Sequence, residues 1–164
     1  MTCGNSESLR GCRVQNATMK QGRRYFRVLL LLGGLFVLRV LAQLIQAVYP
    51  VSVLPPFDVW QGSATAYPVL LSAQIAIVVI LASVLWGIGT NSVSPRRWKY
   101  RVCFGFGGVY FITMAFRFVG GLTALSDITW FARTLPAFFH MVLATFLLTL
   151  GLYIYRRMET ESHG

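Results

Sequence analysis

Acidic side chains are nearly missing from this chain: five aspartates and glutamates stand against fifteen lysines and arginines in 164 residues. Charged residues of both signs make up 12 % of it, about half of the ~25 % usual in a soluble domain. The five carboxylates are Glu7, Asp58, Asp127, Glu159 and Glu161, and none lies inside an apolar run. Transporters coupled to protons or cations ordinarily carry a carboxylate within the membrane, and paired-carboxylate catalysis needs two in reach of one bond. The composition argues against both.

Cysteine and histidine are as sparse. Cys3, Cys12 and Cys103 are an odd set without a CxxC, which gives no disulfide framework, zinc ribbon or thiol redox motif. The histidines are His140 and His163. With His163 in the C-terminal tail, a bis-histidine haem lacks its second ligand. No GxSxG, HExxH or P-loop occurs, and no metal site is expected.

Apolar residues are plentiful, at 55 % of the chain with mean hydropathy +0.61. They gather in four runs, 28–48, 68–88, 102–122 and 135–155. A transmembrane helix needs about 20 such residues, so each run predicts one span. The basic residues alternate across these runs. Arg10, Arg13, Lys20, Arg23, Arg24, Arg27, Arg96, Arg97, Lys99, Arg101, Arg156 and Arg157 fall on one side; Arg133 stands alone on the other with Asp58 and Asp127. The positive-inside rule then places both termini and the middle loop in the cytoplasm. It also accounts for most of the net charge of +10, so nucleic acid is not an expected partner. Tyr25, Tyr49, Trp60, Tyr67, Trp86, Trp98, Tyr100, Trp130 and Tyr155 fall near the expected ends of the spans, the depth that amphipathic rings favour.

The expected architecture is all-α: an integral membrane four-helix bundle, with short connections that favour up-down order. Residues 1–24 form a flexible basic cytoplasmic tail, 25–157 the transmembrane domain and 158–164 a second cytoplasmic tail. Arg23-Arg24-Tyr25-Phe26 resembles a twin-arginine export signal, but apolar character resumes after Ala42 and Arg39 interrupts the run; a retained first helix is expected. The first outer loop holds Pro50, Pro55, Pro56, Asp58, Trp60 and Gln61. It is too apolar for a solvated loop and is expected to fold back over the bundle, with a short helix near 57–61.

Polar residues within the spans carry the functional expectation. Arg39, Gln43 and Gln46 recur at i, i+4, i+7, and Tyr110, Thr113 and Arg117 at i, i+3, i+7. Tyr67 and Gln74, like Arg133 and His140, are seven apart. Each helix thus offers one polar stripe. With the orientation above, Arg39, Gln43, Gln46, Gln74, Arg117 and His140 all fall in the middle or outer part of the bilayer, whereas the cytoplasmic halves are almost purely apolar. A charge at a helix centre costs roughly 2.5–3.5 kcal/mol on insertion scales.

These residues predict a cationic outer-leaflet cavity, roofed by Asp58, Trp60 and Gln61, that binds an anionic or lipid-like molecule. A competing role for the same residues is interhelical glue, with Arg117 snorkelling to the interface and Arg39 paired with Asp58 or Asp127. Service as a subunit of a larger membrane complex is a further expectation. Two other functions stay open: a redox protein holding quinone or haem, with Met114 or Met141 joining His140 as axial ligand, and an enzyme that modifies lipid headgroups with His140 as base. The expected location is the cytoplasmic membrane of a prokaryote.

Overall fold

The computed structural model of the chain describes residues 6–49, 51–52, 66–90, 92–123 and 134–162, and of residues 6–21 and 161–162 the backbone alone. Among these the chain is entirely helical apart from its turns. The helices are α1 (Ser6–Val48), α2 (Tyr67–Gly89), α3 (Arg97–Leu122) and α4 (Thr134–Ser162). Each contains a segment long and apolar enough to cross a membrane: Gly22–Val48, Tyr67–Gly89, Arg97–Leu122 and Thr134–Thr160. These four segments mark the chain as an integral membrane protein. The four expected runs lie inside them.

Helix α1 begins at Ser6, so its backbone runs through most of the segment expected as the N-terminal tail. No proline interrupts the chain between Ser6 and Val48, so backbone pairing continues without a break. At 43 residues and about 1.5 Å per residue, α1 is roughly 65 Å long. The hydrocarbon core is ~30 Å thick, and only the part from Gly22 onward is apolar enough to occupy it.

Helix ends follow local chemistry. Pro68 occupies the first turn of α2, where its missing N–H is not needed. At the other end the Thr90 hydroxyl donates to the Trp86 carbonyl at 2.9 Å, and Ser92 gives its backbone N–H to the Gly87 carbonyl at 2.9 Å. Pro136 lies in the first turn of α4. Inside the spans, the hydroxyls of Ser72, Ser83, Thr113, Thr145 and Thr149 each donate to the carbonyl four residues earlier in their own helix. A hydroxyl can satisfy itself this way in a medium without water; a guanidinium or carboxamide has too many polar atoms to do so.

Paired contacts give the topology. Gly33 meets Leu85, and Gln43 meets Gln74, so α1 and α2 are antiparallel. Tyr25 lies by Tyr153 and Arg39 by Phe139, so α1 and α4 are antiparallel. Tyr100 lies by Tyr155 and Phe118 by Phe138, so α3 and α4 are antiparallel. Helix α4 is central: it packs most extensively on α3 and also on α1, and α2 packs on α1. Two glycines allow the close α3–α4 contact. A Cβ on Gly151 would stand 3.0 Å from the Cβ of Cys103, and one on Gly107 would stand 3.2 Å from the Cβ of Leu147. The other α3 glycines near Gly107, Gly105 and Gly108, face open space.

The interior divides along the bundle axis. Leu29, Phe36, Leu81, Ile88, Phe146, Leu150, Tyr153 and Ile154 form an apolar core in the half that contains the α2–α3 loop. At that end Arg157 reaches the Val93 carbonyl and the Tyr153 hydroxyl and lies over the Tyr153 ring. The buried polar side chains Arg39, Gln43, Gln46, Gln74 and Arg117 all lie toward the opposite end. Leu31, Leu38, Val79, Ile80, Phe106, Val109, Ile112 and Phe116 point outward, as expected for side chains whose solvent is lipid.

Candidate functional site

The polar end is built from one stripe of each helix. On α1, Arg39, Gln43 and Gln46 are buried while their neighbours Leu38, Leu41 and Ile45 are exposed. This is the 3.6-residue period acting on a helix with lipid on one side. Gln74 is buried on α2 and Arg117 on α3; His140 is half-buried on α4. At about 1.5 Å per residue, Gln74, Arg117 and His140 lie roughly 8–11 Å from the nearby helix ends. Arg39 lies ~14 Å in, close to the middle of the span.

The structure draws these residues into two connected groups. Gln74 Nε2 donates to Gln43 Oε1 at 2.9 Å, joining α2 to α1 in a fully buried contact. Below it on the same stripe, the Arg39 guanidinium lies 5.3 Å from the ring centroid of Phe139 on α4. The hydroxyl of Tyr110 on α3 meets Nδ1 of His140 on α4 at 2.5 Å, their rings edge to face. Phe139, under Arg39, and His140, beside Tyr110, are consecutive on α4, and Arg117 is buried on α3 seven residues from Tyr110, two turns along the same face. Arg39, Tyr110, Arg117, Phe139 and His140 therefore form one cationic, aromatic cluster on three helices. Gln46 acts elsewhere: its Oε1 accepts from the backbone N–H of Val51 at 3.0 Å and pins the chain where it leaves α1.

Polar satisfaction in this cluster is incomplete. Arg39 is 5 % exposed, and its Nε has no hydrogen-bond partner among the described residues. The Gln43–Gln74 contact uses one donor and one acceptor, leaving Gln43 Nε2 and Gln74 Oε1 unmatched among the described residues. Turning both amides over leaves the same remainder, one donor and one acceptor. Such atoms are costly in a low-dielectric interior, about 1–3 kcal/mol each.

Two participants were not in the candidate set derived from sequence. Tyr110 shared a stripe with Arg117, and that spacing is the signal that could have placed it there. Phe139 is one of twelve phenylalanines and nothing in its spacing distinguishes it. Thr113, on the same expected stripe as Tyr110, is exposed and bonded within its own helix. Met114 and Met141 are half-buried. The expected roof residues Asp58, Trp60 and Gln61 lie outside the described residues, as do Asp127 and Arg133. Among the described residues, no three histidine, cysteine or acidic side chains come together to hold a metal ion.

The cluster can hold an anion by charge and by directed N–H donors. The Tyr110–His140 pair can also pass a proton between a phenol and an imidazole. No protein-family model matches the chain, and no curated protein and no solved structure matches it.

Proposed function

We propose that this is a small polytopic protein of a prokaryotic cytoplasmic membrane, a four-helix bundle with both termini in the cytoplasm. Its outward-facing polar end binds an anionic, lipid-like molecule. The observation that carries this reading is Arg39, a buried guanidinium whose Nε has no partner among the described residues. An arginine near mid-span costs roughly 2.5–3.5 kcal/mol to insert. The Phe139 ring offsets about 0.5–2 kcal/mol of that. A bound oxyanion would supply the rest through charge-assisted hydrogen bonds. Structural glue explains the Gln43–Gln74 contact, but among the described residues it gives the Arg39 Nε no partner.

Native mass spectrometry of the protein extracted in mild detergent tests this. The wild type is expected to carry a defined anionic mass that Arg39→Leu loses while remaining folded. Bare protein in both samples, with Arg39→Leu equally or more stable, would sink the binding function. A haem or quinone mass would instead establish the redox alternative.

The Tyr110–His140 contact favours one second function, modification of a bound lipid headgroup with His140 as base. Under it, His140→Ala abolishes turnover and leaves the lipid bound; retained turnover excludes that role.

A further inference from the structure

Arg39 and Gln43 lie one turn apart on α1, so their Cβ atoms are about 6 Å from each other. The unmatched atoms around them differ in kind. Arg39 presents a cationic donor. The Gln43–Gln74 pair leaves one donor and one acceptor without a partner among the described residues, on residues 0 % and 3 % exposed. A simple oxyanion answers the first but not the second, because it cannot donate to the leftover acceptor. A hydroxyl answers the second, since it donates and accepts at one atom.

We infer that the site takes an anionic headgroup that carries a hydroxyl, with the oxyanion on Arg39 and the hydroxyl on the Gln43–Gln74 pair. This rests on the anion-binding function proposed above and narrows its ligand class. A phosphodiester with a neighbouring alcohol has the right reach, since phosphate and hydroxyl are separated by only a few bonds, close to one helical turn. The same chemistry occurs in a lipid headgroup and in a free glycerol phosphate. The bundle favours the lipid source: α1 and α3 both pack on α4 and share at most a marginal contact with each other. Arg39 and Arg117 are therefore carried by the two helices that pack on α4 without packing closely on each other, and an acyl-chain molecule would enter between those two helices.

The test compares three lipids added to delipidated full-length protein in detergent, read by native mass spectrometry and by thermal unfolding. Phosphatidylglycerol has the anion and the hydroxyl. Phosphatidylethanol has the same charge without the hydroxyl, and phosphatidylcholine has no net charge. Phosphatidylglycerol is expected to bind about tenfold more tightly than phosphatidylethanol, the effect of one or two net hydrogen bonds. Phosphatidylethanol should in turn exceed phosphatidylcholine. Gln43→Leu should erase the first difference and keep the second, whereas Arg39→Leu should erase both. If Gln43→Leu does not fold, Gln74→Met reads the same contact, and the wild-type comparison decides without either. Equal binding of the two anionic lipids overturns the hydroxyl inference and leaves anion binding intact; a water then completes the amide pair. Equal binding of all three lipids overturns anion binding itself. Competition by soluble glycerol 3-phosphate at matching concentration upholds the chemistry and assigns it to a free molecule.

Discussion

Arg39 and Tyr110 show how much one side chain can mean where water is absent. In a soluble protein a guanidinium over a ring would borrow its remaining hydrogen bonds from solvent. Here Arg39 is enclosed by α1, α4 and their neighbours, so its donor must be met by protein or ligand. The Tyr110–His140 contact is the opposite case, two polar groups that satisfy one another across α3 and α4. Tyr110→Phe removes the hydroxyl and keeps the ring packing against Phe106 and His140. Stability should fall by about 0.6 kcal/mol, and by no more than ~1.7 kcal/mol, the range of single interhelical hydrogen bonds in membranes. Reversible unfolding in mixed micelles measures it. A larger loss would show that the phenol also orders the arginines around it.

At the scale of the helix, small residues matter through where they face. Lipid tails are as apolar as leucine, so helices associate through close packing rather than through escape from water. Gly151 and Gly107 let α3 and α4 approach until a Cβ would meet neighbouring atoms at 3.0–3.2 Å. Gly151→Val should therefore lower unfolding stability by about 1–3 kcal/mol through overpacking. Gly105→Ala meets nothing within 4 Å and should be neutral or gain up to about 1 kcal/mol from helix propensity. Measuring both variants side by side separates a packing glycine from a permissive one. If Gly151→Val were harmless, α3 and α4 would have to separate without loss, and the alignment of Tyr110 with His140 would need another explanation.

For the whole molecule, the proposed orientation follows from where the cations lie, and it fixes which face the polar end serves. Cys3 and Cys12 stand on the cytoplasmic side in that arrangement, and Cys103 is half-buried on α3, with its Cβ against Gly151 of α4. A membrane-impermeant maleimide added to intact cells should leave the protein unlabelled. After lysis it should label the N-terminal cysteines and spare Cys103. Labelling of Cys3 or Cys12 in intact cells would invert the bundle and turn the polar site toward the cytoplasm. The arrangement also divides the interior by role. The apolar half holds the helices together, and the opposite half is free to carry charge because it is not the main source of packing.

Much of this was determined by the sequence alone, through effects that act locally along a helix. Length and hydropathy set the four spans, because a lipid-solvated segment must satisfy its own backbone. Helical periodicity placed Arg39, Gln43 and Gln46 on one face, and their burial in the structure follows from it. What only the tertiary structure decided concerns pairs brought together from different helices. Spacing within α2 could not say that Gln74 meets Gln43. Nothing in α4 distinguished Phe139 as the ring beneath Arg39. The partner of His140 became known only with the register of α3 on α4, which the contacts at Gly107 and Gly151 set. Periodicity gives the face of a helix, but the neighbour on that face depends on packing order and axial offset, and these are set by side chains far apart in the chain.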